Sequence, residues 1–157
     1  MSGIKSNAFT LAYTFFREPA EKVIPELKSF GLTGINLALN YHSSRDLLLR
    51  QGPQLEYLSD GFHYYKSNYE MYESGAIKPD LKEQLPTNQV LESVLKSAKQ
   101  NDFQVNAWAV YMHNSAIGMA HPDAVVTNVL GNKFFSELCP ANPAVASYAL
   151  GMTRDLA

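Results

Sequence analysis

Three short apolar runs, each followed by a stretch with helical spacing, constrain this chain more than any other feature. The runs are Ala8 to Phe16, Gly34 to Asn40 and Val105 to Tyr111. Each is apolar on both faces, as strands of a covered parallel sheet are. After the first run, Val23, Ile24, Leu27 and Phe30 share one helical face and Gly31 suits the C′ position. Pro25 interrupts that pattern, because an interior proline removes a hydrogen bond and crowds the preceding turn. The spacing therefore predicts a helix starting near Ile24, after a separate turn. A second helix is predicted from about Thr87 to Gln100, with Thr87 as N-cap and Val90, Leu91, Val94, Leu95 and Ala98 as its apolar stripe. A third opens at Asn142-Pro143, an N-cap followed by proline at N1, and continues through Val145, Tyr148, Ala149, Met152 and Leu156.

The resulting order is β-α-β-(insertion)-α-β-(loop)-α. Such alternation predicts parallel strands with right-handed crossovers, adjacent in the order one-two-three with helices on one side. A closed (β/α)8 TIM barrel takes roughly 250 residues, and this chain has room for about three βα units. The expected fold is thus α/β, a partial (β/α)8 TIM barrel in which 1–157 form the N-terminal part of one barrel domain. No glycine-rich phosphate loop follows the first run, where Tyr13-Thr14-Phe15-Phe16-Arg17-Glu18 stands instead. Residues 43–86 form an insertion, and Asp60-Gly61 between aromatic-rich runs is its hairpin signal.

Composition excludes several classes. A net charge of -2 with scattered Lys and Arg gives no basic stripe, so no nucleic-acid partner is expected. No apolar run approaches the roughly 20 residues of a membrane span, and no membrane partner is expected. The first residues, Met1-Ser2-Gly3-Ile4-Lys5-Ser6-Asn7, lack the apolar core of a signal peptide. With a single cysteine, Cys139, the chain has no internal disulfide to form, and a cytoplasmic location is the expectation. Cys139 itself reads as a buried structural residue, since no base or cationic setting surrounds it in sequence.

In parallel barrels, chemistry lies at the C-terminal ends of the strands. There the apolar runs give way to polar and aromatic clusters: Tyr13, Thr14 and Arg17; Asn40-Tyr41-His42-Ser43-Ser44-Arg45; and Tyr111-Met112-His113-Asn114. The substrate-binding candidates are Tyr13, Asn40, Tyr41, His42, Arg45, His113 and Asn114. A neutral imidazole at His42 or His113 can donate to one hydroxyl and accept from another, although each also reads as a structural histidine bonded to a carbonyl. Arg45 suits a carboxylate, or equally an ion pair with Asp46 or Glu56. The insertion aromatics Tyr57, Phe62, Tyr64, Tyr65, Tyr69 and Tyr72 could stack on a ring or form a small core of their own. The four histidines show no metal-site spacing, and neither metal nor other cofactor is expected. No Asp or Glu stands directly at a strand end, so the carboxylate pair that glycoside hydrolysis needs is unplaced and the catalytic residues stay unknown.

Four stretches carry a family likeness: Ala38 to Arg45, Asn106 to Asn114, His121 to Gly131 and Leu138 to Tyr148. Together they resemble the first strands of bacterial TIM-barrel proteins related to the glycoside hydrolases. The likeness rests on a strand ending in Ala-Trp, a His-Pro loop, an Asn-x-x-Gly turn and a Cys-Pro step opening a helix. It implies a carbohydrate or sugar-like small molecule as partner, with the catalytic carboxylates expected beyond residue 157 and this segment supplying binding residues. A metal-using sugar isomerase or epimerase of the xylose-isomerase-like type is one alternative. A non-catalytic carbohydrate-binding half-barrel is another. Unpaired edges of strands one and three would also favour self-association.

Overall fold

The computed structural model describes residues 5–41, 44–48, 54–58, 62–74, 77–79 and 87–157. They fall into two compact units. The first comprises Met1–Leu39, Tyr64–Lys66 and Lys82–Ala109; the second comprises Asn40–His63, Ser67–Leu81 and Val110–Ala157. The architecture is mixed α/β, with a three-stranded parallel sheet and, among the described residues, five α-helices.

The first unit holds strand β1 (Asn7–Leu11), the single-turn helix α1 (Thr14–Arg17), helix α2 (Ala20–Ser29) and strand β2 (Gly34–Ala38). The insertion contributes β3 (Ser44–Leu48) and β4 (Gln54–Leu58), both assigned to the second unit. Helix α3 (Thr87–Gln100) and strand β5 (Gln104–Trp108) complete the first unit. The sheet order is β1-β2-β5, parallel throughout, with Asn7 opposite Gly34 and Gly34 opposite Gln104. The expected adjacency and direction therefore hold. All three strands are shorter at their C-terminal ends than the apolar runs suggest. The first run shortens most, because Tyr13 takes helical angles (φ -63, ψ -18) and Phe15 turns inward to be buried.

Alternation along β2 separates two faces. Ile35 and Leu37 on one face are 0% and 2% exposed, and in the same unit helices α2 and α3 pack against each other. The buried Ser97 hydroxyl donates to the Ala20 carbonyl at 3.1 Å, tying those helices to each other. The opposite face carries amides: Asn106 donates to Asn36 at 2.9 Å and Gln104 donates to Asn106 at 3.0 Å. On it Phe9 and Trp108 meet edge to face, 5.0 Å between centroids.

Helices α2 and α3 stop in the same way. Gly31 (φ 86) and Asp102 (φ 47) take left-handed angles. The next amides, Leu32 and Phe103, donate back to Leu27 and Ala98, closing Schellman turns. Contrary to the expectation of a late start, α2 runs unbroken through Pro25. Pro25 and Glu21, whose carbonyl loses its partner, lie on the exposed side, while buried Val23 and Ile24 hold the turns on either side of the break. Helix α3 has the expected bounds but starts at Thr87 itself rather than after it, and Leu95 is 49% exposed while Val94 and Ala98 are buried.

In the second unit β3 and β4 pair antiparallel, Ser44 opposite Leu58 and Leu48 opposite Gln54. Asp60-Gly61, the expected hairpin turn, lies outside the described residues. Helix α4 (Ser115–Ala120), strands β6 (Val125–Thr127) and β7 (Lys133–Leu138), and helix α5 (Pro143–Leu156) follow. The β6–β7 hairpin and α4 occupy a stretch with no expected element. Asn128 builds the hairpin turn: its side-chain oxygen accepts from Leu130 and Asn132, its carbonyl accepts from Gly131, and Gly131 adopts φ 82. Helix α5 begins as expected, with the Asn142 side chain accepting from Ala144 at 2.9 Å and Pro143 at N1. Val145, Tyr148 and Met152 are fully buried along one side. Asn142→Ala is expected to lower stability by about 1 kcal/mol, measured by urea unfolding, because one orphan helix donor loses its acceptor. Cys139 is a free thiol of intermediate exposure, less buried than the sequence suggests.

Candidate functional site

The residues that follow β2 and β5 stay side by side. Leu39 donates its amide to the Trp108 carbonyl at 3.1 Å. One step on, the Asn40 side chain takes over the ladder's role, donating to the Val110 carbonyl at 2.6 Å and accepting from the Val110 amide at 2.8 Å. Asn40 is only 3% exposed, and both ends of its amide face one backbone group, as a peptide would. This double bond is a structural commitment that fixes where Tyr41 begins.

A polar cluster is built around His63, which bridges to Asn40 through the backbone. His63 is 1% exposed, with Nδ1 at 2.8 Å from the Ser67 hydroxyl and Nε2 at 3.2 Å from the Tyr148 hydroxyl. Tyr148 also reaches the Met152 sulfur at 3.8 Å. Its phenol receives a side-chain hydrogen bond from Asn114. Asn114, 2% exposed, accepts from the Ile117 amide at 2.9 Å and so caps α4. Two proton arrangements satisfy the cluster. Either Tyr148 donates to Nε2 and Nδ1 donates to Ser67, or both bonds run the other way. Each leaves the ring neutral.

The electrostatics agree with that neutrality. Burial lowers the His63 pKa to about 4, because desolvation penalises the charged imidazolium. Burial likewise pushes the Tyr148 phenol up, with Tyr72 and Tyr111 adding to the rise and the Asn114 bond opposing it. The cluster is thus a closed, uncharged network. Its chemistry is positional, since neither group is charged near neutrality and neither meets solvent.

The other expected site residues divide accordingly. Tyr13 belongs to the first unit, half-buried at the start of α1, with its carbonyl accepting from Phe16. Tyr41, Arg45 and His113 belong to the second. Tyr41 is half-buried; Arg45 is exposed on β3, opposite Tyr57; His113 is exposed and bridges to Glu137 through the backbone. His42 lies outside the described residues. Of the insertion aromatics, Tyr64, Tyr65 and Tyr72 are buried, Phe62 is half-buried and Tyr69 is 40% exposed, so most serve as packing. Among the described residues no three His, Cys, Asp or Glu side chains are grouped to hold a metal ion, and no helix is long and apolar enough to cross a membrane.

Sequence reasoning reads Asn40 and Asn114 as ligand contacts, and the structure shows both amides engaged within the chain. It misses His63, Ser67 and Tyr148 as a group. The one available signal is Tyr148 itself, a phenol in an otherwise apolar helical stripe, which must find a partner when buried. No family model matches the chain, and neither the curated proteins nor the solved structures include a match to it.

Proposed function

We propose that this chain belongs to a glycoside-hydrolase-like (β/α) barrel protein and supplies carbohydrate-binding residues from the loops that follow its parallel strands. The observation that carries the reading is the Asn40 clamp on Val110, which keeps the chain segments after β2 and β5 in register beyond the sheet. Loops held in this way can present side chains from different strands to one ligand, as parallel barrels do. The buried network supports the same division of labour. Asn40 and Asn114 are buried and hydrogen-bonded within the chain, and their sequence neighbours Tyr41 and His113, together with exposed Arg45, are the groups assigned to touch a sugar. A guanidinium, an imidazole and a phenol offer the mixed donors and acceptors that hydroxyls need. Their role is binding and orientation, and no carboxylate of this chain is assigned to bond cleavage. The parallel order fits one sector of a barrel, and fold alone does not specify the reaction.

Titration of the protein with a panel of mono- and oligosaccharides, followed by amide chemical shifts, tests this. At least one sugar is expected to give saturable shifts around Tyr41 and His113. His113→Ala and Arg45→Ala should each weaken that binding about tenfold, the loss of one charge-assisted or bidentate bond. Saturable binding unaffected by either change would sink the proposal, as would a panel with no binder.

A further inference from the structure

At the amino-terminal end of the parallel sheet, within the first unit, lies an open cleft of about 540 Å³. That size falls within the usual range of small-molecule sites. Its floor is apolar, from Leu32 and the buried Ala98 and Phe103. Its lining includes three lysines, Lys5, Lys28 and Lys99, and one acid, Asp102. Among the described residues none of the three ammonium groups is within ion-pair distance of a carboxylate. The formal balance of the lining is therefore positive by two charges.

Lysines in a last helical turn have an ordinary explanation, since a helix C-terminus carries about half a negative charge. Lys28 and Lys99 stand in the last turns of α2 and α3. Here that demand is partly met already. The Schellman turns occupy the Leu27, Lys28, Ala98 and Lys99 carbonyls, and Lys28 donates to the Asn101 carbonyl. Even counted in full, the two helix ends offset about one charge, and the cleft remains positive. Lys5 precedes β1 and has no helix end to compensate.

We propose that this cleft binds a small phosphate monoester whose organic part is apolar. Ammonium groups act as point charges toward phosphate, and the Leu32–Phe103 floor accepts the apolar part. The proposal is independent of the sugar-binding reading, because it concerns the other unit and the opposite ends of the strands.

Phenyl phosphate, benzoate and benzyl alcohol share one ring and differ in charge, so they separate the contributions. With amide shifts as readout, phenyl phosphate should give saturable changes at Thr33, Asp102 and Gln104. Benzoate should bind about tenfold more weakly and the alcohol not measurably, as expected when one or both charges are removed. Lys99→Gln and Lys5→Gln should each cost about tenfold, while Lys22→Gln, whose ammonium already pairs with Glu18 at 3.2 Å, should leave binding unchanged. The Lys5 variant guards against a folding effect, since that residue caps no helix. Equal shifts with the neutral alcohol would overturn the proposal. So would shifts spread evenly over all surface lysines, or phenyl phosphate binding indifferent to both variants.

Discussion

Acidification from neutrality to about pH 4 is expected to cost the folded chain about 3 kcal/mol through His63 alone. The folded pKa lies near 4, below the ordinary 6.5 of an unfolded chain. Between those values the unfolded state binds a proton that the folded state refuses, so stability rises with pH across the window. The contribution is complete above about 6.5 and is lost progressively as pH falls toward 4. The cause is desolvation: an imidazolium at 1% exposure, with a hydroxyl near each nitrogen, has lost the hydration that would stabilise its charge. Unfolding free energies measured across this range should fall steeply for the natural sequence. His63→Gln keeps a donor and an acceptor but does not ionise, so its curve should be flatter by about that amount over the same window. Parallel curves for the two proteins would mean that His63 is solvated or paired, and the buried network would have to be abandoned.

The second large effect is steric. Gly118, in the middle of α4, is buried where the helix meets β7. A Cβ at that position would stand 2.0 Å from the Phe135 carbonyl oxygen and 2.9 Å from its carbon. Both are backbone atoms, so no side chain can rotate away, and helix or strand must move by about 1 Å. Overpacking of this kind costs about 1–3 kcal/mol, and the severity of the contact puts Gly118→Ala toward the upper end. In an exposed helix the same change would stabilise by about 1 kcal/mol, since alanine is the better helix former. The sign of the effect in a denaturation experiment therefore decides the matter. A variant as stable as the natural protein would show that α4 and β7 do not approach so closely.

What the sequence reveals and hides follows the range of each interaction. Caps and C-terminal turns are local, and the ends at Gly31 and Asn142 are readable from neighbouring residues. The continuous passage of α2 through Pro25 is not, because it depends on which side of the helix faces the core. The strand ends are overestimated for a related reason. An apolar run does not say where main-chain pairing hands over to a side chain, as it does at Asn40. The hairpin of β6 and β7 hides in a three-residue strand, too short for alternation to register, although its Asn128–Gly131 turn is marked. Asn114 is the most instructive residue. Its position after a strand suggests a ligand contact, while its spacing before Ile117 is that of an N-cap, and the second signal prevails. The His63–Tyr148 bond joins residues 85 positions apart, and no local pattern encodes it.

The row of amides on the sheet bears on how the chain assembles. Gln104, Asn106 and Asn36 satisfy one another only in the observed alignment, where Asn36 stands opposite Asn106. A slip of one residue between β2 and β5 would turn one strand's amides toward the face of Ile35 and Leu37 and carry apolar side chains to the other side. Each amide left without a partner there would cost about 1–3 kcal/mol. The row thus penalises misaligned pairing of β2 with β5 and favours the single observed register.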